Sequence, residues 1–303
     1  VYDFIHDEGY YKPATTQKIH FQDFSSLTLS RTRLIDPRLE LVWDRIISYL
    51  KQEEVFIVVD WICSGKAQDM TVANIWHTGE ILSNKENIFD TYIPKMYRGP
   101  GDTEPIINRA ELSLLIELIG RSEKAKWESI KRGYADSIMI SQASSRNYGE
   151  GEMDYFITLL TPHPRNRSLE SLTGRLRLAY VSDNKDALSL IYRGKEAEVY
   201  LAYKLDLNKG LSANEDDYPR YSWERGKLDY KNITTDADFA FVIDSEKALE
   251  YGFINGCGLQ FKEKELFKTP MFTTYRFGTQ IHEKTDNKWR VWNGRILKGG
   301  VSL

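Results

Sequence analysis

The sequence predicts an all-β protein that folds as a large antiparallel β-sandwich (supersandwich-like). Apolar residues fall in short runs in which β-branched and aromatic types dominate. Many of these runs alternate between apolar and polar residues, as residues 198–203 do, which is the pattern of a strand with one wet face. Turn-forming sequences separate the runs, among them residues 147–151, 182–184 and 255–256.

The strand candidates follow one another along the chain at the spacing of an antiparallel sandwich. Segment 41–50 is ambiguous, because its apolar residues also have helical spacing, and residues 246–251 are compatible with one helical turn. No repeat of fixed period is visible, which argues against a propeller or a solenoid. The clearest strand candidates are residues 55–59, 112–118, 137–141, 155–160, 176–181, 187–192, 197–205, 239–243, 271–277 and 289–292.

The length of 303 residues allows one large domain or two medium ones, with a core that needs neither metals nor disulfides. We predict an extended arm or the first strands over residues 1–30. The large sandwich then covers residues 31–303, with a small C-terminal sub-sheet from about residue 230. Residues 208–229 are polar and read as a long surface loop that could carry function.

Composition excludes several classes of protein. The 41 Lys and Arg residues are balanced by 44 Asp and Glu residues, which argues against a nucleic-acid binder. No apolar run approaches the roughly 20 residues of a membrane span, and no signal peptide is visible. Two cysteines allow one disulfide but are expected as two buried thiols. The first residue is Val rather than Met, so we expect a processed or truncated product.

Two carboxylates follow very hydrophobic runs. Asp60 comes directly after residues 55–59, and Asp244 comes after residues 239–243. A carboxylate in this place can bind a metal or act as a base. It can equally cap the following turn and accept backbone N–H bonds. The residues alone leave these alternatives open.

His77 follows a run that alternates like a strand. In a strand, His77 would share a face with Ile75 and Ala73, and Trp76 would point the other way. Such a histidine is either a hydrogen-bonded core or rim residue, or a metal ligand or base. The remaining histidines are scattered, so any metal site would have to be assembled across strands.

Several segments share their order and spacing with one protein family. They are Trp-Asp-Arg at residues 43–45, the hydrophobic run that ends in Asp60, Asn-Ile-Trp-His ending in His77, the strand that closes on Leu-x-Pro at residues 160–162, and Asp-Ala-Asp-Phe-Ala-Phe-Val at residues 236–242. From about residue 30 to residue 267, the chain resembles the C-terminal β-sandwich of heparinase II/III-like polysaccharide lyases.

The resemblance implies cleavage of uronic-acid-containing polysaccharides by β-elimination. In that reaction a Tyr or His removes the C5 proton of the uronate and a Tyr protonates the leaving glycosidic oxygen. Several members hold a structural metal in the sandwich, with one ligand from the position that His77 matches. The resemblance therefore implies a catalytic His77, and His77 with Asp60 as ligands of one structural divalent metal, Zn or Ca. It also implies a periplasmic or secreted location.

The chain departs from the family in two respects. The family has an α/α toroid before the sandwich, which supplies the catalytic Tyr, whereas this sequence has no helical half. A Gly-His-x-His-x-Asp-type segment is also missing. We therefore expect the lyase activity to need an N-terminal α/α-toroid part, as a partner chain or as part of the same protein.

Two alternatives to the lyase remain. A non-catalytic carbohydrate-binding sandwich would present a row of solvent-facing Trp or Tyr residues without a clustered acid and base. A structural protein, including a virion protein, would form a symmetric assembly with long swapped arms. We expect neither a nucleic-acid partner nor a membrane span for this chain.

Overall fold

The computed structural model describes residues 15–96, 106–130, 137–207, 211–213, 219–221, 227–281, 289–292 and 295–298. Across these ranges the chain forms antiparallel strands and no helix, so the predicted all-β sandwich class is confirmed. None of the described residues belongs to a helix long and apolar enough to cross a membrane. The chain divides into two compact units, Val1–Gly174 and Arg175–Leu303, here called the N-terminal and C-terminal units.

The N-terminal unit contains two sheets. The large sheet has eight strands in the order β1-β2-β3-β4-β13-β10-β7-β6, and the small sheet has three in the order β11-β12-β5. A two-stranded ribbon, β8-β9, completes the unit. The strands are β1 (Thr15–Asp23), β2 (Leu27–Asp36), β3 (Leu41–Leu50), β4 (Val55–Ser64), β5 (Gln68–Thr78), β6 (Glu80–Lys85), β7 (Ile88–Tyr92), β8 (Lys95–Met96), β9 (Ile106–Ile107), β10 (Leu112–Ile119), β11 (Lys126–Ile130), β12 (Ser137–Tyr148) and β13 (Met153–Pro164).

The small sheet packs on one face of the large sheet. Near one end, Val72 of β5 and Tyr148 of β12 join Ile62 and Phe156 of the large sheet in one buried cluster. A second cluster, toward the other end, contains Phe89, Ile116, Leu118 and Ile140, with Trp76 against it. These two clusters make the unit a two-layer sandwich, and they fix which side chains of β5 face inward.

Strand β4 is buried on both of its faces. Val55, Ile57 and Val59 alternate with Val58 and Asp60, and all five are almost completely inaccessible to solvent. A strand covered on both sides needs apolar residues at nearly every position, which explains the unbroken hydrophobic run in the sequence. The strand continues to Ser64, so Asp60 lies within it and not at its end.

The C-terminal unit is built on one further eight-stranded sheet. Its order is β14-β15-β16-β21-β22-β20-β19, and β23 pairs with β22. Two two-stranded ribbons, β17-β18 and β24-β25, complete the unit. The strands are β14 (Leu176–Val181), β15 (Ala187–Arg193), β16 (Ala197–Lys204), β17 (Leu211–Ala213), β18 (Pro219–Tyr221), β19 (Leu228–Asp229), β20 (Ile233–Thr235), β21 (Phe239–Ser245), β22 (Ala248–Phe261), β23 (Lys264–Ile281), β24 (Trp289–Trp292) and β25 (Arg295–Lys298).

The core of the C-terminal unit is rich in aromatic side chains. Tyr200, Tyr251, Phe253 and Phe261 lie in one buried cluster with Val242. The Tyr200 and Phe261 rings meet edge to face, with their centroids 4.8 Å apart. These aromatic side chains therefore serve to fill the core of a large sheet.

The observed strand bounds test the predictions made for the ambiguous segments, the turn at residues 255–256 and the N-terminal arm. Segment 41–50 is strand β3, and residues 246–251 form a bend and the start of β22, so neither is helical. The turn predicted at residues 255–256 is wrong, because β22 continues through it: Asn255 has φ 56°, and the register with β23 shifts only after it, between Gly256 and Gly258. Within residues 1–30, β1 and the start of β2 belong to the large sheet, and residues 1–14 lie outside the described residues. The two compact units meet in sequence at residue 174, inside the span predicted as one sandwich.

Candidate functional site

One end of the N-terminal sandwich contains an open cavity of about 260 Å³. Strands β5, β7, β10 and β13 all contribute to it near their ends, so it lies where the two sheets separate. Its lining is mainly apolar, with a few polar groups among the apolar ones, as is common in small-molecule sites. The lining residues are Trp76, His77, Thr78, Thr91, Ile93, Asn108, Leu112, Ser113, Leu114, Ile116 and Pro162.

Asn108 holds the mouth of the cavity together. Its side-chain amide donates to the carbonyl of Ile93 at 3.2 Å and to the carbonyl of Leu112 at 2.8 Å. Its Oδ1 accepts the N–H of Leu112 at 3.3 Å, and Thr91 Oγ1 donates to the Leu114 carbonyl at 2.8 Å. These bonds tie the start of β10 to the end of β7, so the polar groups at the mouth hold the backbone in place.

Two neighbouring residues of β5 reach the cavity from opposite sides of the small sheet. Trp76 faces the large sheet, where it packs against the second core cluster. His77, the next residue, is exposed and is paired in register with Met139 of β12. Alternation along a strand explains this arrangement, and it makes His77 a rim residue of the cavity.

Trp76 contributes a polar atom as well as a ring. Its Nε1 is buried from solvent and has no hydrogen-bond partner among the described residues. A buried indole N–H normally finds an acceptor, because an unpaired donor costs about 1–3 kcal/mol. The indole ring itself lies 5.4 Å from the Arg45 guanidinium. The cavity is thus lined by an indole side chain, and an exposed imidazole stands at its rim.

Asp60 lies in the sealed space between the sheets. Its carboxylate accepts two bonds from Arg45, at 2.8 and 3.0 Å, and one from Trp43 Nε1 at 2.8 Å. The Asp60 side chain is completely buried, whereas the Arg45 side chain is 41% exposed. Asp60 therefore neither caps a turn nor faces a cleft, and its observed role is to anchor β3 to β4 across the interior.

The charge of Arg45 is stabilised by this contact. Burial works against the charged guanidinium, but the hydrogen bonds and the attraction of Asp60 together outweigh burial and raise the pKa of Arg45 above its ordinary value. Arg45 therefore stays charged throughout the physiological pH range, and the indole of Trp76 covers the guanidinium from the side of the small sheet.

The predicted metal ligands do not form a donor set in the part of the chain that the structure describes. Both oxygens of Asp60 are bonded to Arg45, one of them also to Trp43, and His77 lies on the exposed side of β5. No three His, Cys, Asp or Glu side chains among the described residues are grouped so as to hold a metal ion. The structural metal therefore stays a prediction, and no step below depends on it.

The structure also contains a buried histidine–carboxylate pair that the sequence did not predict. His163 is buried on β13, with Nε2 3.1 Å from Asp90 Oδ1 and Nδ1 2.9 Å from the Pro164 carbonyl. Ser113, which lines the cavity, stands opposite His163 in the strand register. Asp90 and His163 are 73 residues apart, so no local pattern could have predicted the pair.

A buried charge network lies elsewhere in the N-terminal unit, among residues that do not line the cavity. Asp154 accepts bonds from Arg121 Nη1 at 2.7 Å and from the Tyr148 hydroxyl at 2.9 Å. Burial, together with the charge of Asp154, raises the pKa of Tyr148. Arg146 also pairs with Glu152 beside this network. All of these groups have partners within the network, which makes it a structural element.

The other sequence candidates carry no comparable site. Asp244 lies within β21 and pairs with Lys262 at 2.9 Å near the surface. Cys63 and Cys257 are thiols, each partly buried. Most of the predicted loop at residues 208–229 lies outside the described residues.

Comparisons with known proteins give a structural likeness only. No family model matches the chain, and no curated protein matches it. A heparinase III gene product has a TM-score of 0.44 and 14% identity over 63% of this chain and 28% of that chain. A mutant of the heparan sulfate lyase HepC from Pedobacter heparinus has a TM-score of 0.45 and 12% identity over 63% of this chain and 28% of that chain.

A second HepC structure from Pedobacter heparinus matches more of the chain. It covers 86% of this chain and 28% of that chain, with 11% identity and a TM-score of 0.38. The chain therefore spans less than a third of the length of the structures it matches. The resemblance predicted from the sequence is confirmed as a similarity to part of heparinase III and heparan sulfate lyase structures, and it concerns the fold alone.

Proposed function

We propose that the chain is the β-sandwich part of a polysaccharide lyase that cleaves uronic-acid-containing glycans by β-elimination. The observation that carries the proposal is the placement of Trp76 and His77 side by side at one open cavity. The order of motifs along the sequence supports the lyase assignment. In this proposal the α/α-toroid part supplies the catalytic tyrosine and the remainder of the substrate cleft, and the protein acts in the periplasm or outside the cell.

The cavity has properties that suit one sugar ring. Its volume of about 260 Å³ lies just below the roughly 300–1,000 Å³ of typical ligand sites, so it accommodates one ring of a longer chain. The apolar face of a pyranose stacks on an aromatic ring such as that of Trp76.

His77 has the chemistry that β-elimination needs at the rim. An imidazole can take or give a proton near neutral pH, and its cationic form attracts a uronate carboxylate. His77 is exposed, so a glycan bound in the cavity can reach it. Its proposed role is to bind the carboxylate or to remove the C5 proton. The structural metal is an additional proposal, which elemental analysis of the purified protein tests directly.

Binding is the first test. Calorimetric titration of the 303-residue chain with heparin, heparan sulfate, chondroitin, hyaluronan and alginate oligosaccharides should detect binding to at least one, and none to a neutral dextran. We expect His77→Ala to weaken that binding by about tenfold, equivalent to 1.4 kcal/mol. Leu112→Glu, which places a carboxylate at the cavity, should weaken it further by repulsion. His20→Ala, on β1, is the matched control and should bind normally.

A lyase assay completes the test. The absorbance of the unsaturated uronate product is measured for the chain alone and after addition of a toroid part. We expect product only with the toroid part present, and its loss in His77→Ala. Product from the chain alone would contradict the need for a second part. Binding that His77→Ala and His20→Ala change equally would contradict the cavity as the site.

The carbohydrate-binding alternative has less support. It requires a row of exposed aromatic side chains, and the large exposed aromatics among the described residues are Phe21, Trp127 and Tyr275. These three lie on β1, β11 and β23, which belong to three different sheets. No single sheet among the described residues therefore presents a row of them.

A further inference from the structure

Part of the large sheet extends beyond the small sheet that covers it. Strand β5 is an edge of the small sheet, and its Val72 packs against Ile62 of β4. In the large sheet, β3, β2 and β1 follow on the far side of β4. Among the described residues, the two core clusters between the sheets include none from β1 or β2. The side of β1, β2 and β3 that continues the covered face is here called the open face.

Polar and aromatic side chains that water reaches line the open face. Lys18, Thr32 and Arg45 stand opposite one another in the strand register, so they form one row across three strands. Lys18 and Thr32 are exposed, and the Arg45 side chain is 41% exposed. In the neighbouring row, Phe21 stands opposite Ser30 and is 57% exposed. The open face is therefore accessible to a ligand over several strands.

The open face is continuous with the cavity. The indole of Trp76, which lines the cavity, lies 5.4 Å from the Arg45 guanidinium at one end of the row. A second row leads from Ile116, another lining residue, across β13 to Phe56 and Tyr49. The rings of Tyr49 and Phe56 are stacked with centroids 4.6 Å apart, and both side chains are half-buried. A polymer that leaves the cavity in this direction stays on one face of the large sheet.

The charges of the open face favour an acidic ligand. Arg45 is partly exposed although its partner Asp60 is completely buried. Lys18, at the other end of the row, forms no ion pair with a described residue. The exposed acid at the end of β1, Asp23, is itself paired with Lys51 at 2.6 Å. An exposed lysine without an acid partner, in one row with a partly exposed arginine, attracts carboxylates.

We propose that the open face binds the part of the glycan that lies outside the cavity. An acidic polysaccharide with one ring at the cavity crosses β3, β2 and β1 and places carboxylates at Arg45 and Lys18. This inference rests on the proposed function and adds a second binding surface to it. The two cations stand two strands apart, which separates their backbones by about 9–10 Å, so they suit carboxylates on different rings of one chain. The hydroxyl of Thr32, between them, can donate to or accept from a sugar hydroxyl.

The length of the oligosaccharide tests this surface. Calorimetric titration of the 303-residue chain compares a tetrasaccharide with a decasaccharide of heparin, chondroitin, hyaluronan and alginate. The ionic strength is about 0.15 M, at which exposed charges more than about 8 Å apart are largely screened. For a glycan that binds, we expect the decasaccharide to bind at least about tenfold more tightly than the tetrasaccharide.

A charge substitution on the open face should remove this gain. Thr32→Glu places a carboxylate between Lys18 and Arg45, and we expect it to bring the decasaccharide affinity close to that of the tetrasaccharide. The tetrasaccharide affinity should change by less than about twofold. Thr71→Glu is the matched control, because Thr71 is also an exposed threonine of a strand but lies on the side of β5 away from the large sheet. It should keep the full gain with length.

Removal of one cation tests the far end of the row. Lys18→Ala should weaken decasaccharide binding by about threefold, as expected for one exposed ion pair, and leave tetrasaccharide binding unchanged. Lys85→Ala, an exposed lysine at the end of β6, is its control and should have no effect on either ligand.

Three outcomes would overturn the inference. A decasaccharide that binds no more tightly than the tetrasaccharide, or equal effects of Thr32→Glu and Thr71→Glu, would exclude the open face and leave the cavity as a binding site. An absence of binding for every oligosaccharide would remove the proposed function and this inference together.

Discussion

Asp60 and His77 are two parts of the same sandwich with opposite surroundings. The sequence predicts them as ligands of one metal, whereas the structure seals Asp60 between the sheets and exposes His77 at the rim of a cavity. Asp60 has bonds to Arg45 and Trp43 that hold β3 and β4 in place. His77 lies where a ligand can reach it.

The two residues differ in which face of a strand they occupy, and that face decides whether the fold must neutralise the polar group. A buried carboxylate must be neutralised by the chain itself, because water cannot do so. An exposed imidazole at a cavity carries no such requirement and can be replaced at little cost to folding. Substitutions should therefore change stability at the sealed pair and change binding at the open rim.

The largest effect is expected from removing the cation of the sealed pair. Arg45→Met should lower the free energy of unfolding by about 3–5 kcal/mol, because it leaves the buried Asp60 carboxylate without its counter-ion. Chemical denaturation measures this change. Asp60→Asn should cost less, because the Arg45 side chain is 41% exposed and can turn toward water.

The double variant Arg45→Met with Asp60→Asn tests whether the loss in Arg45→Met comes from the unpaired charge of Asp60. We expect it to recover much of the stability lost in Arg45→Met, because no uncompensated charge remains. An Arg45→Met variant as stable as the wild type would contradict the sealed character of the pair.

An intermediate effect is expected at the indole that bonds to Asp60. Trp43→Phe keeps an aromatic ring but removes the N–H that Asp60 accepts at 2.8 Å, which should cost about 1.5–3 kcal/mol. Trp127→Phe is the matched control, since Trp127 is 50% exposed and should change stability by less than about 0.5 kcal/mol. Equal losses in the two variants would show that the bond to Asp60 contributes nothing specific.

High pH should lower the stability of the fold through four tyrosines whose hydroxyl groups are shielded from water. Burial is the first cause that raises the pKa values of Tyr148, Tyr155, Tyr200 and Tyr251 above the ordinary value of 10.0. Above pH 10 an unfolded chain releases these protons while the folded chain retains them, so stability falls as the pH rises through the folded values. Below pH 10 both states keep the protons and the contribution is constant.

Unfolding by denaturant at a series of pH values above neutrality measures this slope. Tyr148→Phe removes one of the four groups and should make the alkaline slope shallower. A stability that stays constant well above pH 10 would contradict the sealing of these hydroxyls.

The smallest effect on stability is expected at the open rim. His77→Ala should change the free energy of unfolding by less than about 0.5 kcal/mol, because the side chain is exposed. The same variant should weaken glycan binding by about tenfold in the titration described above. A large loss of stability in His77→Ala would instead show that His77, like Asp60, is needed for folding.

Much of the fold could be predicted from the sequence, because strand formation follows local periodicity. The runs at residues 176–181 and 289–292 coincide with β14 and β24 at both ends, and the run at residues 155–160 lies inside β13. The errors came where tertiary contacts overrule a local signal. Asn255-Gly256 looks like a turn, yet Asn255 donates to Asp238 and strand β22 continues past it, with a register shift that follows between Gly256 and Gly258.

The candidate site could be predicted only in part. His77 was identifiable from the alternation of β5 and from the resemblance of its motif, and the structure places it at a cavity. The cavity itself joins strands that are far apart in sequence, and the Asp90–His163 pair spans 73 residues. No local pattern encodes such contacts, because they depend on which strands become neighbours in the sheet.

Hydrophobic periodicity and residue type were enough to predict the all-β class and most of the strands, and the resemblance of its motif added His77 as a candidate. The pairing of buried Asp60 with Arg45, and the cavity that Trp76 and His77 share, became visible only in the folded chain. Burial and pairing of a charge depend on the sheet packed above it. Chain-local chemistry contains no information about that layer.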